Sequence, residues 1–343
     1  MTSSLLVLLA AVPSLVIALA AVPMIRRYAP RLGLVAQPRD DRFHRQPTPS
    51  GGGIAVWLGV VGTFAVGQLV LWAIARGILP LESVPPLLKV HYAGLVAQSP
   101  KLWTLLAAAT AMAILGAIDD RGALSWRLRL MLQTAIAACM VWQGWRLSLF
   151  IDAPAVTAVL SIVWIVGIVN SFNMLDNVDG LASGVALIAA VILAAVMLAS
   201  PQADSGGPQL FVAGFLFVLA GAIAGFWWYN RPPATIFMGD VGSYFIGFCI
   251  AAATLMATFA GEGVPRHAVF APLCVLAIPI YDTLSVVWIR LRAGRSPFEG
   301  DKNHFSHRLI ELGLAPKQAA IVATKEIALA VMARLSGMIN GPR

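Results

Sequence analysis

Long apolar runs recur along the chain, at residues 4–24, 53–75, 102–118, 130–143, 156–172, 181–199, 209–228, 242–260 and 268–289, with polar positions gathered in the short intervals between them. A helix that crosses a bilayer needs about 20 mostly apolar residues. In hydrocarbon the backbone must satisfy its own N–H and C=O groups, so each run predicts a closed α-helix. A tenth, weaker run at 318–337 is interrupted by Lys325, Glu326 and Arg334. The pattern predicts an all-α, polytopic transmembrane helix bundle of about ten spans. It forms one domain over residues 1–343, with an atypical segment at 318–343. The segment Trp145–Ile151 alternates weakly and predicts a short strand.

Charge sets the expected orientation. The first run carries no basic residue before it, and Arg26, Arg27 and Arg31 follow it. That suits a retained span with its N-terminus outside better than a leader cleaved after Ala18-Leu19-Ala20. Numbered in order, the odd loops hold 16 Lys and Arg and the even loops hold 5; the other three follow the ninth run. Basic residues stay on the cytoplasmic side, so the odd loops are expected there, in a multi-pass protein of the inner (plasma) membrane. The same asymmetry accounts for the net charge of +8, and no nucleic-acid partner is expected. Only 12% of residues are charged and the mean hydropathy is +0.81, which excludes an ordinary soluble domain. Cys139, Cys249 and Cys274 lie in apolar runs and read as small core residues, not a disulfide framework.

The acids fall on the same side as the bases. Asp119 and Asp120 end the third run, Asp176 and Asp179 follow the fifth, Asp240 precedes the eighth, and Asp282 lies inside the ninth. Carboxylates at a membrane boundary are costly unless hydrated, paired or metal-bound. Taken singly, each has a plain structural reading as a span end, a polar turn, a helix cap or an interhelical partner. Acidic clusters from several loops on one face instead predict a convergent, oxygen-rich site suited to magnesium. The first odd loop ends in Gly51-Gly52-Gly53, whose N–H groups could face an anion or whose lack of side chains could serve packing. The last odd loop carries Lys302, His304, His307 and Arg308. Two histidines without a further clear ligand make a poor zinc site, and phosphate binding suits them better.

In order, these residues resemble the polyprenyl-phosphate N-acetylhexosamine-1-phosphate transferases. That family includes bacterial UDP-GlcNAc:undecaprenyl-phosphate enzymes, MurNAc-pentapeptide transferases and eukaryotic dolichyl-phosphate enzymes. The resemblance runs from about residue 33 to residue 315. It rests on Gly33-Leu34-Val35 with Arg42, His44, Pro47 and Gly51-Gly52-Gly53; Asp119-Asp120 with Leu124, Arg129 and Gln133; and Asn173 with Asp176, Asp179 and Gly180. It continues in Phe237-Met238-Gly239-Asp240 with Gly242-Ser243, Pro279 with Asp282, and Ser296-Pro297-Phe298 with Asp301, His304, His307, Arg308 and Leu309.

The resemblance implies a magnesium-dependent enzyme, manganese being a substitute. It would move a sugar-1-phosphate from a UDP-N-acetylhexosamine to polyprenyl (undecaprenyl) phosphate in the bilayer and release UMP, at the start of cell-envelope polysaccharide synthesis. Asn173 and Asp240 would be metal ligands. Asp119 and Asp120 would lie beside the attacking lipid phosphate, and Asp176 and Asp179 would shape the metal and nucleotide-sugar site. His44, Gly52, Arg129, His304, His307 and Arg308 would bind substrate phosphates, with Asp282 a further candidate and a homodimer a candidate assembly. A UDP-MurNAc-pentapeptide donor is the alternative within the family; an ion-coupled transporter is the alternative outside it. One position departs from the pattern. The family's last motif usually reads His-x-His-His, and Ser306 stands at its middle histidine. Its hydroxyl replaces no charge, so Ser306 is expected to be dispensable.

Overall fold

The structure is a computed structural model and describes residues 2–37, 47–122, 124–147, 153–199, 209–257, 269–298, 303–313 and 318. The chain enters through α1 (Thr2–Leu9) and α2 (Ala11–Tyr28). Two short strands follow, β1 (Val35–Ala36) and β2 (Thr48–Pro49), paired antiparallel with Val35 opposite Pro49 and Ala36 opposite Thr48. The helices α3 (Gly53–Ala75), α4 (Pro86–Gly122), α5 (Trp126–Trp142), α6 (Pro154–Leu175), α7 (Leu181–Ala199), α8 (Leu210–Asn230) and α9 (Gly239–Met256) come next. The described part ends with α10 (Ala271–Val275), α11 (Ala277–Arg292) and α12 (Phe305–Glu311). Local chemistry sets several helix starts. Pro154 opens α6, where a missing N–H costs nothing. Ser125 caps α5 by accepting from the Leu128 N–H.

Among the described residues, seven stretches are long and apolar enough to cross a membrane: Val7–Leu32, Gly53–Ala75, Leu88–Gly122, Pro154–Leu175, Leu181–Ala199, Leu210–Asn230 and Gly239–Met256. The chain is thus a multi-pass membrane protein. The expected run at 130–143 is helical within α5, which has only 17 residues. The expected run at 268–289 is not one helix. It breaks at Leu276, because Pro279 has no N–H for the Val275 carbonyl and its ring crowds that position. The tenth run at 318–337 lies outside the described residues, except for Gln318. The short strand expected at Trp145–Ile151 does not start: Trp145, Arg146 and Leu147 are irregular, and the Leu147 N–H goes to Ser161 Oγ at 2.9 Å. The remainder of that segment is outside the described residues. Cys139 also departs from expectation, since it sits on an exposed face of α5 and not in the core.

The central helix is α9, buried along nearly all of its length, whereas α2 is largely exposed. It packs on α4, α6 and α3. Glycines permit the close approach. A side chain at Gly116 of α4 would run into the Asp240 backbone, and one at Gly53 of α3 would run into Gly242.

Candidate functional site

The site is built around the N-terminus of α9. Gly239 stands there with φ +71°, a conformation that only glycine adopts cheaply. A side chain at this position would also meet Asp120 Oδ2 and Ser50 Oγ. The loop around β2 is stitched to this helix start. Phe237 N–H donates to Pro49 O at 2.9 Å, Gly52 N–H to Phe237 O at 2.8 Å, and Gly53 N–H to Met238 O at 2.9 Å. This corrects the reading of Gly52 as an anion binder. Its N–H and that of Gly53 are already donated to carbonyls, and a side chain at Gly52 would collide with the Phe226 ring. These two glycines serve packing.

Two carboxylates at the end of α4 reach this point, each differently held. Asp120 accepts the Asp240 N–H at 3.0 Å and the Val241 N–H at 3.2 Å, capping α9 from another helix. Asp119 is buried; it accepts the Leu124 N–H at 2.8 Å and the Tyr244 hydroxyl at 2.6 Å, and pairs with Arg129 Nη1 at 3.3 Å. Asn173, near the end of α6, donates to Asp240 Oδ1 at 2.6 Å and to Ser243 Oγ at 3.2 Å. Asp119, Asp120 and Asp240 are near enough to repel one another, and Arg129 is the opposing charge. One turn after Arg129, the buried Gln133 accepts from Asn170 Nδ2 at 2.6 Å.

A second group forms around α12. Asp282, buried inside α11, places Oδ2 2.8 Å from His304 Nδ1, and its Oδ1 accepts the Phe305 N–H. One carboxylate therefore orients the histidine and caps α12. His307 is buried, with its ring 6.2 Å from that of His304. Arg308 reaches Ser285 Oγ at 3.4 Å and lies 5.9 Å from the Tyr281 ring. Upstream, Arg290 donates to Pro297 O at 2.7 Å and Phe298 stacks on Trp126 at 4.0 Å, so the segment after α11 is fastened to the start of α5.

The turn after α6 joins the two groups. Asp179 Oδ2 accepts the Ala234 N–H at 2.8 Å, holding the segment that leads into α9. Asn177 Oδ1 accepts the Ser306 hydroxyl at 2.8 Å. Asp176 lies in the same turn, at the cap of α6. The structure thus gathers Asp119, Asp120, Arg129, Asn173 and Asp240 in one group and Asp282, His304, His307 and Arg308 in the other. His44 and Asp301 lie outside the described residues. The sequence reading missed Tyr244 and Asn177. Tyr244 was findable, since it sits four residues after Asp240 and so on the same face of a mostly apolar helix. Nothing local marks Asn177.

Among the described residues no three His, Cys, Asp or Glu side chains form a self-sufficient metal cage. The Asn173–Asp240 pair offers oxygen donors only. That fits a hard divalent ion that takes its remaining ligands from substrate phosphates and water.

The sequence profile of glycosyl transferase family 4 matches residues 102–258. The chain is 33% identical to the decaprenyl-phosphate N-acetylglucosaminephosphotransferase of Mycobacterium tuberculosis, over 93% of this chain and 79% of that one. It is 29% identical to a probable undecaprenyl-phosphate N-acetylglucosaminyl 1-phosphate transferase of Bacillus subtilis, over 92% and 80% of the two chains. It is 27% identical to the undecaprenyl-phosphate alpha-N-acetylglucosaminyl 1-phosphate transferase of Escherichia coli, over 89% and 76%.

Proposed function

The chain belongs to the polyprenyl-phosphate N-acetylhexosamine-1-phosphate transferases of glycosyl transferase family 4, and from that premise we propose that it transfers N-acetylglucosamine-1-phosphate from UDP-N-acetylglucosamine to a polyprenyl phosphate such as undecaprenyl phosphate, releasing UMP. The observation that carries the reading is the meeting of Asp119, Asp120, Asn173 and Asp240 at the N-terminus of α9, bridged by the 176–179 turn to a cationic group on α12.

The chemistry follows from what each group has free to give. The acceptor is a phosphomonoester whose second pKa is about 6, so it is largely a dianion near neutral pH and needs no strong base. One of its oxygens attacks the β-phosphorus of the donor; the new P–O bond forms as the anhydride bond to UMP breaks. Asp120 is committed to two backbone N–H groups, and Asp119 to Tyr244, Arg129 and Leu124. Those bonds suit them to positioning, not to covalent attack. Arg129 lies on the side of Asp119, where it can meet the acceptor phosphate. His304, His307 and Arg308 can hold the donor phosphates by charge-assisted hydrogen bonds. Magnesium held by Asp240 and Asn173, or manganese in its place, would neutralise the diphosphate and ease departure of UMP. Incubating purified protein with undecaprenyl phosphate and a panel of UDP-sugars tests the reading. UMP release is expected with UDP-N-acetylglucosamine and not with UDP-MurNAc-pentapeptide; the reverse preference would overturn the donor assignment.

Arg308→Ala and His304→Ala should each lower kcat/KM for the UDP-sugar, by roughly ten- to a hundredfold, the scale of one charge-assisted contact to a phosphate. Steady-state kinetics that match the wild type for both variants would remove α12 from the site.

The proposed topology puts the N-terminus outside and the loops at 26–51, 119–129, 229–240 and 290–317 in the cytoplasm, with the protein in the inner membrane. In a variant without native cysteines, a cysteine at exposed Gln143 should react with a membrane-impermeant maleimide in intact cells. One at exposed Arg295 should not react until the cells are opened. The opposite pattern would invert the topology and put the site out of reach of cytoplasmic UDP-sugars.

A further inference from the structure

We propose that Ser306 and Asn177 form a positioning tether, which sets the cationic first turn of α12 against the 176–179 turn and so places His307 and Arg308 on the donor diphosphate. The inference rests on the proposed transfer reaction for its substrate, though not for its geometry.

The hydrogen bond itself is specific. Ser306 is 3% exposed, and its hydroxyl meets Asn177 Oδ1 at 2.8 Å across 129 positions of sequence. The Asn177 amide is locked from the other side, because Nδ2 donates to Met174 O at 3.2 Å and leaves Oδ1 facing Ser306. The turn that carries Asn177 is fixed in turn. Asn173 before it bonds Asp240, and Asp179 after it holds the Ala234 N–H. It is therefore a stiff bridge from the N-terminus of α9 to α12.

The other partner needs such a bridge. At seven residues, α12 is too short to hold itself together, so outside contacts must fix it. Asp282 supplies one anchor from α11, through His304 and the Phe305 N–H. Arg308 adds a 3.4 Å contact to Ser285 Oγ, also on α11, so these anchors tie α12 to one neighbouring helix. The Ser306–Asn177 bond ties α12 to a different element, the 176–179 turn. His307 and Arg308 follow it directly and depend on it for their placement relative to Asp240. Ser306 stands where the family pattern has a histidine, and here the shorter hydroxyl makes a neutral contact within a buried space. The expectation that Ser306 is dispensable, drawn from its lack of charge, is thereby replaced.

The test uses the full-length protein in bilayer nanodiscs and the variants Ser306→Ala, Ser306→Cys and Ser306→Thr, with Asn177→Ala alone and combined with Ser306→Ala. Cysteine keeps the size and weakens the donor; threonine keeps the hydroxyl. Ser306→Ala and Ser306→Cys should raise KM for UDP-N-acetylglucosamine about three- to tenfold, the scale of one neutral hydrogen bond. KM for polyprenyl phosphate and the thermal midpoint should not change. Asn177→Ala should match, and the double variant should be no worse than either single one, because both remove the same bond. Ser306→Thr should stay near the wild type. Amide exchange across Phe305–Arg308 should quicken in Ser306→Ala and Ser306→Cys and not in Ser306→Thr. Unchanged donor KM, an additive double variant, or equal effects on both substrates with a lowered midpoint would overturn the proposal. Amide exchange is read without turnover. If the wild type released no UMP, unaltered exchange would sink the tether, and quickened exchange would keep it while the transfer reaction failed.

Discussion

Asp240→Asn should lower kcat/KM for the UDP-sugar roughly a thousandfold and leave the fold intact. The substitution is isosteric, and its remaining Oδ1 can still accept from Asn173 at the 2.6 Å contact, so the junction of α6 with α9 should survive. What is lost is one negative charge, at a point where a divalent ion must be held against the donor diphosphate. Removing a single group aimed at developing charge in an enclosed site costs about 10²–10³ in rate, and a weakened metal adds to that. Chelation of divalent ions should abolish wild-type turnover, and magnesium should restore it. In Asp240→Asn, far more magnesium should be needed for less recovery. A well-folded Asp240→Asn protein that turned over normally would remove Asp240 from the site.

Asp120→Ala should be the next most damaging change, for a different reason. Its carboxylate accepts two backbone N–H groups at the first turn of α9, at 3.0 and 3.2 Å. Removing it leaves both donors without their cap and takes away a charge that complements the helix dipole, a loss of about 1–2 kcal/mol in stability. Activity should fall further, by roughly a hundredfold or more, because Asp240 is carried on the turn that Asp120 fixes and a small misplacement at a reacting centre is costly. Asp120→Asn should fall between the wild type and alanine, since its amide keeps one acceptor but turns N–H groups toward N–H groups. Kinetics and thermal unfolding together check this. A stable Asp120→Ala protein that retained its activity would contradict the capping role.

These contacts show what the sequence could reveal and what it could not. Seven of the expected spans were legible because a bilayer imposes length and apolarity on every crossing segment. The acids were legible because charge at a membrane boundary is rare and costly. Their division of labour was not. Asp119 and Asp120 are adjacent in the chain, yet one faces Tyr244 and Arg129 while the other caps α9, because neighbouring residues on a helix point about 100° apart. The glycines after Ser50 misled for a related reason. Glycine allows both anion binding and close packing, and only the partners of its N–H groups decide between them; here those partners are Phe237 and Met238. The break at Leu276, between α10 and α11, was readable from Pro279 alone, had the long apolar run not outweighed it. Asp282 reaches His304 across 22 positions and Ser306 reaches Asn177 across 129, and no periodicity encodes such pairs.

The most direct measurement follows the fate of the donor's two phosphates. Purified protein would be given undecaprenyl phosphate, magnesium and UDP-N-acetylglucosamine labelled separately at the α- or the β-phosphate. Transfer of sugar-1-phosphate predicts that the β-label enters the lipid and the α-label leaves as UMP, in equal amounts. Release of UDP carrying both labels would mean that the sugar alone had been transferred, and it would contradict the account.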